Sequence, residues 1–137
     1  MTYYLVTKSD NFVKSDLRDV PSFFVVIKDL VICTWLFEFA FYISHRMLHS
    51  SFMYKHIHKT HHEWKTPMSI VSIYCHPVEH IMSNMFPALI GPFVANSHVS
   101  TVWLWFGITI ITTLVDHSGY HIPFFHSSEA HDWHHLK

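Results

Sequence analysis

Histidine is the residue type in this sequence whose number and spacing point to chemistry. The 137-residue chain contains 15 histidines, and most of them fall into short groups with helical spacing. The groups are His45 and His49; His58, His61 and His62; His76 and His80; His117 and His121; and His131, His134 and His135. Residues three or four apart on a helix share a face, so each group is able to direct its imidazoles the same way.

Clustered imidazoles are typical ligands of iron, zinc, copper and nickel. The two H-x-x-H-H triples, together with the pairs His45/His49 and His117/His121, supply ten candidate ligands. A single transition-metal ion takes about four to six ligands. The ten histidines therefore predict two ions, each held by about five imidazoles with room for an oxygen ligand.

Polar side chains near these groups are candidates for orienting the imidazole N–H groups, as carboxylates do around many metal sites. The acidic candidates are Glu63, Glu79, Asp116, Glu129 and Asp132. His76 and His80 are candidates for a supporting or structural role, or for direct ligation. Ordinary solvated charge is the alternative interpretation of each acidic residue. The isolated histidines, interpreted as scattered surface residues, are His56, His98 and His126.

Two long apolar regions must position the histidines, and residues 23–43 form the first. This run of 21 residues has the length of a membrane span, although Lys28, Asp29 and Glu38 interrupt it. Lys28 and Asp29 lie near its start and are able to snorkel or pair, whereas Glu38 is expected to face protein or a polar cavity. A long buried helix of a soluble protein is the alternative. Residues 1–22 predict a polar N-terminal segment without the features of a secretory signal.

The second apolar region, residues 81–115, is divided by a polar break at residues 96–98. Each arm has roughly 15 residues and spans about 22 Å, which is shorter than the roughly 30 Å hydrocarbon core. The region predicts a helical hairpin that dips into the membrane and returns, or two short tilted spans, with a first arm kinked by Pro87, Gly91 and Pro92. All histidine groups then face one side. Basic residues flank that side and the 96–98 turn has none, which indicates the cytosol.

The composition excludes several other classes of protein. Half of the residues are hydrophobic and 14% are charged, so a disordered polyelectrolyte is ruled out. Nine Lys and Arg against ten Asp and Glu give a net charge of −1, which argues against a nucleic-acid partner. The two cysteines cannot build a disulfide framework and indicate a reducing compartment. The predicted fold is all-α, an integral membrane helical bundle with a cytosol-facing, histidine-rich di-metal cap.

Taken together, the motifs resemble the fatty acid hydroxylase/sterol desaturase superfamily. The resemblance is carried by the runs HRMLH, YKHIHKTHHEW, HPVE, DHSGYHIP and HDWHH, which begin at His45, Tyr54, His76, Asp116 and His131. It implies a membrane-embedded di-iron oxygenase of the endoplasmic reticulum that acts on a lipid. Such an enzyme binds two Fe ions, for which Zn substitutes in purified samples. It uses O2 and electrons from NAD(P)H that pass through cytochrome b5 or a similar donor.

The resemblance also implies which residues form the site and where the domain lies. The implied metal ligands are His45, His49, His58, His61, His62, His117, His121, His131, His134 and His135. His76 and Glu79 match a recurrent H-P-x-E element of the superfamily. Residues 23–137 would form the family-like membrane domain. It is expected to be truncated at the C-terminus, because family members usually continue past the last motif.

The reaction and the substrate stay open at this level. Hydroxylases, desaturases and methyl oxidases share these ligands, and the substrate is a sterol, a fatty acyl chain or a sphingolipid, with a sterol favoured by the resemblance alone. One alternative to an oxygenase is a membrane protein that holds zinc without catalysis. Another is a pseudoenzyme of the same fold, against which the near-complete histidine motifs argue.

Overall fold

The structure is a computed structural model that describes residues 14–16, 18–123, 125 and 127–136. Within this part most residues are helical, and no strand occurs beyond one isolated bridge between Lys14 and His98. The all-α prediction is therefore confirmed for the described residues. Most of the expected polar segment 1–22 lies outside them, as does His126.

Six α-helices, two 3-10 helices and a π-helical turn follow one another along the described chain. They are α1 (Phe23–Leu48), α2 (Ser51–His56), the first 3-10 helix (His58–Glu63), the second 3-10 helix (Ser69–Ile73), α3 (Pro77–Glu79), the π-helical turn (His80–Met85), α4 (Phe86–Ala95), α5 (Val99–Asp116) and α6 (Ser128–Leu136). Helix α3, the π-helical turn and α4 run on without a break and form one arm. This arm and α5 are the two limbs of the hairpin that residues 81–115 predicted.

Helix α1 packs against the arm in antiparallel orientation. A Cβ on Gly91 would lie 2.5 Å from the Cα of Cys33, so the backbones of α1 and the arm are in close contact there. Any residue larger than glycine at position 91 would force one of the two helices to move. Eleven residues further along α1, the hydroxyls of Ser44 and Ser83 are 3.2 Å apart. The two contacts fix the register of α1 against the arm and bring the end of α1 beside the start of the arm.

The arm contains the prolines that the sequence singled out, and its irregular backbone is repaired by a side chain of α5. The π-helical turn ends at Met85, two residues before Pro87, and Pro92 lies inside α4. Because Pro92 has no N–H, it cannot donate to the carbonyl of Ala88 four residues earlier. The indole Nε1 of Trp105 donates to that carbonyl instead, over 2.9 Å. Trp105 therefore ties the two limbs of the hairpin together.

The turn between the limbs uses a histidine that the sequence interpretation assigned wrongly. Asn96 has a left-handed backbone conformation, with φ of 49°, and ends α4. His98, expected at the surface, is buried at the N-terminus of α5. Its Nδ1 accepts from the backbone N–H of Ser100, and its Nε2 donates to the carbonyl of Asp16. The residue is buried because it caps a helix and anchors the incoming chain at the same time.

Polar side chains fill the interior of the described part, and apolar side chains cover its outside. Thirteen polar or charged residues are buried against five hydrophobic ones. Large apolar side chains such as Phe24, Trp35 and Trp103 are more than 70% exposed. A polar interior with an apolar exterior is the arrangement expected of a surface that contacts lipid.

One described helix, α5, is long and apolar enough to cross a membrane. Helix α1, the span expected from residues 23–43, does not qualify in the same way, because three charged residues, Lys28, Asp29 and Glu38, interrupt its apolar stretch. Lys28 and Asp29 pair as expected, with Nζ 3.2 Å from Oδ1. Glu38, expected to face protein or a polar cavity, is exposed, since no described element covers it.

The contact between Gly91 and Cys33 predicts a position-specific effect of added volume. Gly91→Ala should lower the free energy of unfolding by about 1–3 kcal/mol, because the new methyl group overlaps the backbone of α1. Gly107→Ala is the matched control in α5, where nothing lies within 4 Å of the added Cβ. It should raise stability by about 0.5–1 kcal/mol. Thermal unfolding in detergent measures both, and equal effects would contradict this packing.

Candidate metal centre

The predicted histidine groups meet at one end of the helical bundle because the helices end or begin there. His45 lies in the last turn of α1, and His49 is its C-terminal cap. His117 caps the C-terminus of α5. His76 caps the N-terminus of α3, where the arm begins. The first 3-10 helix and α6 bring the remaining histidines to the same end.

Four histidines from three separate stretches form the first cluster, which we call the first quartet: His45, His49, His58 and His134. One nitrogen from each ring lies within 4.8 Å of the corresponding nitrogens of the other three. The Nε2 atom of His134 is 2.8 Å from that of His45 and 3.0 Å from that of His49. His58 is fully buried, and its Nε2 is 3.1 Å from the Nε2 of His49.

The second quartet comprises His61, His117, His131 and His135, and it satisfies the same 4.8 Å criterion. The Nε2 atoms of His131 and His117 are 2.8 Å apart, and those of His135 and His131 are 3.0 Å apart. The Nε2 atoms of His61 and His117 are 3.5 Å apart. The two quartets adjoin each other, because the rings of His58 and His61 stack with centroids 5.6 Å apart.

Both H-x-x-H-H triples are divided between the quartets, although their spacing suggested that each triple points one way. On α6, His131 and His135 join the second quartet and His134 the first. His62 lies between the quartets. Its Nε2 is 3.0 Å from that of His58, and its ring centroid is 4.6 Å from that of His135. Nine of the ten predicted ligands are thus brought together.

Hydrogen bonds on the far side of three imidazoles determine which ring nitrogen carries the proton. The Nδ1 of His61 is 3.2 Å from the carbonyl of Tyr74, and the Nδ1 of His117 is 2.9 Å from the carbonyl of Thr113. A carbonyl only accepts, so both Nδ1 atoms carry hydrogen. The Nδ1 of His58 likewise donates to the buried carboxylate of Glu79 over 2.8 Å. Each Nε2 then presents a lone pair to its quartet.

The geometry fits a metal ion in each quartet. Metal–nitrogen bonds of about 2.0–2.1 Å place neighbouring imidazole nitrogens about 3.0–3.4 Å apart. The shortest Nε2 separations within the quartets, from 2.8 to 3.5 Å, surround that range, and the remaining pairs lie within 4.8 Å. The facing lone pairs of His61 and His117 repel each other unless a cation lies between them. The donor set, all imidazole nitrogen, suits iron, zinc or copper.

Burial keeps these imidazoles neutral, which is the form that binds metal. Loss of solvent, followed by the proximity of other histidines, lowers the pKa of His62 and of His131 to about 2. The same causes lower the pKa of His45 and of His135 to about 3, and that of His134 to about 4. Burial also lowers the pKa of His49, His61 and His117.

Several predicted site residues lie outside the quartets. His121 is exposed and contacts Glu129, with Nε2 3.2 Å from Oε1. Helix α5 ends at Asp116, so the spacing from His117 to His121 is not helical and does not place both rings on one face. His80 is exposed and lies 3.3 Å from the side-chain nitrogen of Asn84.

Among the predicted supporting residues, Glu79 contacts a quartet histidine directly, as described above. Asp116 and Asp132 lie close enough to His117 to raise its pKa, against the larger effect of burial. Glu63 is exposed and accepts from the hydroxyl of Tyr74 rather than from an imidazole. His76 accepts from the backbone N–H of Val78 and so has a capping role.

The backbone partners of the quartets were missed by the sequence interpretation. Thr113 precedes His117 by four residues. A histidine at a helix C-terminus commonly bonds to the last carbonyls, and this pattern was the available signal. The carbonyl of Tyr74 gives no sequence signal, since any residue supplies a carbonyl. Tyr54 also packs on the site, with its ring centroid 5.6 Å from that of His62.

The fold and the site together define a helical protein with a paired histidine centre at one end. Comparison with known proteins shows to which family this helical protein belongs. The family model described as fatty acid hydroxylase matches residues 30–137. The chain belongs to the fatty acid hydroxylase family, as the motifs suggested. No solved structure matches the chain.

The chain is similar to relatives with several names. It is 49% identical over 120 residues to fatty acid hydroxylase domain-containing protein 2 of Macaca fascicularis, covering 88% of this chain and 36% of that protein. It is 36% identical over 124 residues to very-long-chain aldehyde decarbonylase GL1-11 of Oryza sativa subsp. indica, covering 85% and 46%. It is 35% identical over 124 residues to methylsterol monooxygenase 2-2 of Arabidopsis thaliana, also covering 85% and 46%. The chain thus spans less than half of each relative.

The hydrogen bond between Glu79 and His58 predicts a role in holding the ligand in place. Glu79→Ala should weaken metal binding by roughly 10- to 100-fold, because the His58 ring loses its buried partner. Glu79→Gln should lose less, since its amide oxygen still accepts the Nδ1 proton. Glu63→Ala, which removes an exposed carboxylate, is the control and should leave affinity unchanged. Competition with a chelator measures these affinities, and equal losses at both positions would contradict the assignment.

The lowered histidine pKa values predict that the metal-free protein loses stability in acid. Between the ordinary histidine pKa of 6.5 and the folded values of about 2 to 4, the unfolded chain binds more protons than the folded one. The free energy of unfolding should therefore fall as the pH drops below about 6.5. Denaturation of the EDTA-treated protein in detergent from pH 7.5 to pH 5 measures this. His62→Gln should flatten the dependence, whereas a pH-independent stability of the unsubstituted protein would contradict it.

Proposed function

We propose that this chain provides the metal-binding core of a membrane-bound, non-haem di-iron oxygenase that oxidises a C–H bond of a lipid. The observation that carries the proposal is the pair of adjoining histidine quartets, in which Nε2 lone pairs converge at distances that suit metal ligation. Family membership and the methylsterol monooxygenase relative support an oxidative reaction on a lipid.

In this proposal His45, His49, His58 and His134 hold one iron, and His61, His117, His131 and His135 hold the other. His62 lies between the quartets and is available to either ion. Iron bound in this way supplies the activation of O2 that an unreactive C–H bond requires. The chain itself contributes ligation, orientation of the imidazoles through Glu79 and the carbonyl groups, and exclusion of water from buried His58.

We further propose that the protein resides in the endoplasmic reticulum membrane with the histidine end in the cytosol. Among the described residues, four basic residues belong to that end, namely Arg46, Lys55, Lys59 and Lys65, and three belong to the other, namely Lys14, Arg18 and Lys28. This excess is small because the chain brings Lys14 to the 96–98 turn, a contact the sequence did not reveal. The electrons would come from NAD(P)H through cytochrome b5 or a similar donor, which the cytosolic side makes accessible.

The substrate class proposed is a membrane lipid, with a sterol favoured over a fatty acyl chain because of the resemblance to methylsterol oxidases. Relatives named for decarbonylation and for monooxygenation match the same stretch of chain. The same histidine ligands therefore serve several reactions. The residues that position the lipid beside the metal centre would determine which of these reactions occurs.

Metal content tests the proposal directly. The full chain expressed with iron should contain about two metal ions by elemental analysis, and zinc in their place would reflect competition between ions for the same imidazoles. His61→Ala and His134→Ala, one from each quartet, should each remove at least about half of the metal. His56→Ala is the matched control, because His56 is exposed and lies outside both quartets.

Two outcomes would count against the proposal. Fewer than about one metal ion per chain would leave the quartets without the role assigned to them. Equal metal loss in all three variants would indicate nonspecific binding by histidines. With metal bound, oxygen-dependent formation of an oxidised lipid supports the oxygenase, whereas stable zinc without any such product supports a non-catalytic metal-binding protein.

A further inference from the structure

The segment from Trp64 to Tyr74, between the first 3-10 helix and the arm, carries apolar side chains that the metal centre does not use. Ile70 and Ile73 lie on the second 3-10 helix and are 61% and 65% exposed. Met68 and Trp64 are also exposed. An exposed apolar strip of this kind usually marks a contact surface rather than a solvated face.

The position of the strip relative to α5 indicates what covers it. The hydroxyl of Ser69 donates to the carbonyl of Leu114 over 2.9 Å, which attaches the second 3-10 helix to the last turn of α5. Helix α5 is the described helix able to cross a membrane, and its Ile110 and Ile111 are exposed. The exposed apolar strip of Trp64, Met68, Ile70 and Ile73 therefore extends the apolar surface of α5 beside the C-terminal end of that helix.

Aromatic and basic residues around the strip have the chemistry of the membrane–water interface. The rings of Trp64 and Tyr74 contact each other with centroids 6.3 Å apart, and the Tyr74 hydroxyl donates to Glu63. Trp and Tyr are enriched at the headgroup level because one end of each is apolar and the other polar. Lys65 is exposed beside them, and a lysine at this depth extends its ammonium group toward lipid phosphates.

The inner side of the same segment borders the metal centre. Trp64, Pro67, Met68 and Val71 line a narrow cleft of about 10 Å³ together with three members of the second quartet: His117, His131 and His135. This volume holds about one water molecule. Pro67 is held against the turn after α5, where a Cβ on Gly119 would lie 2.9 Å from its ring. Met68 is both exposed and part of the cleft wall, so the strip and the cleft meet there.

A larger apolar groove of about 520 Å³ runs along α1 and the arm, but it does not offer a direct route to the metals. Its α1 side chains include Ile43 and Met47. Each lies two residues from His45, which on an α-helix means about 200° away. The groove is therefore on the opposite face of α1 from the quartet histidine.

We propose that the segment Trp64–Tyr74 lies in the headgroup–acyl boundary of the bilayer and forms the portal through which a lipid reaches the second quartet. The portal rests on the function proposed above, and the occupant of its outer side is phospholipid. Ile70 and Ile73 insert among the acyl chains, Trp64 and Tyr74 mark the headgroup level, and the narrow cleft beside Met68 widens to admit the lipid. Specificity for the lipid then depends on the residues of this segment.

Depth measurement by site-directed spin labelling tests the portal. Nitroxide labels at Ile70→Cys and Ile73→Cys, in the full chain reconstituted into phosphatidylcholine vesicles, report accessibility to O2, which concentrates in lipid, and to a water-soluble nickel chelate. A Cys75→Ser background leaves Cys33, which is fully buried, as the remaining native cysteine. Ile111→Cys on α5 is the lipid-facing comparator, and Lys59→Cys on the first 3-10 helix is the aqueous one.

The O2-to-chelate ratio at positions 70 and 73 should exceed that at position 59 by about threefold or more and approach that at position 111. A ratio equal to that at position 59 overturns the portal, whether water or a protein partner covers the strip. The double variant Ile70→Ser/Ile73→Ser should raise the apparent KM for a lipid supplied in vesicles at unchanged metal content. An unchanged KM also overturns the portal.

These results separate the portal from the proposed function. Loss of the depth signal with two metal ions still bound would remove the portal and leave the di-iron assignment intact. Absence of metal with the labels still at membrane depth would remove the di-iron function, and the segment would then be an interfacial anchor without a portal role.

Discussion

The convergence of unprotonated imidazole nitrogens is the constraint on which the rest of the structure depends. The carbonyls of Tyr74 and Thr113 hold the protons of His61 and His117 on Nδ1, so that two lone pairs face each other at 3.5 Å. This arrangement is repulsive in the absence of a cation and favourable with one. Metal binding would therefore be linked to folding of this end, because an ion would remove the repulsion that close packing of the rings creates.

Contacts far from the histidines determine whether the quartets assemble. The rings meet because α1 and α5 end, and the arm begins, at the same end of the bundle. That alignment is fixed along the helices by Gly91 against Cys33 and across the hairpin by Trp105 on the carbonyl of Ala88. A slide of one residue along a helix moves its end by about 1.5 Å, which is a large fraction of a metal–nitrogen bond. Gly91 and Trp105 thus help to determine the positions of the histidines, although neither residue contacts them.

The sequence predicted the helical class and the hairpin, and it singled out nine histidines that the structure brings together, because these depend on composition and local spacing. It did not predict how each triple is divided between the quartets, since that depends on the rotation of α6 and the first 3-10 helix relative to each other. It placed His121 with His117 because helical spacing was assumed beyond Asp116. Gly119, with φ of 74°, lies where the chain leaves the helix. His98 was missed because histidine is an unusual N-cap, and its partner Asp16 lies 82 residues away.

Ligands shared by several reactions cannot by themselves select one of them. Relatives named as a decarbonylase and as a monooxygenase match this chain over 85% of its length. The quartets would hold a metal among neutral imidazoles, since burial lowers the pKa of every quartet histidine with a resolved shift, although His49 in the first quartet is exposed. If the chain oxidises a lipid as proposed, the bond that is oxidised depends on what the lipid contacts beside the metal centre. Met68 and Val71 border the second quartet, and substitutions at these two positions alter no ligand.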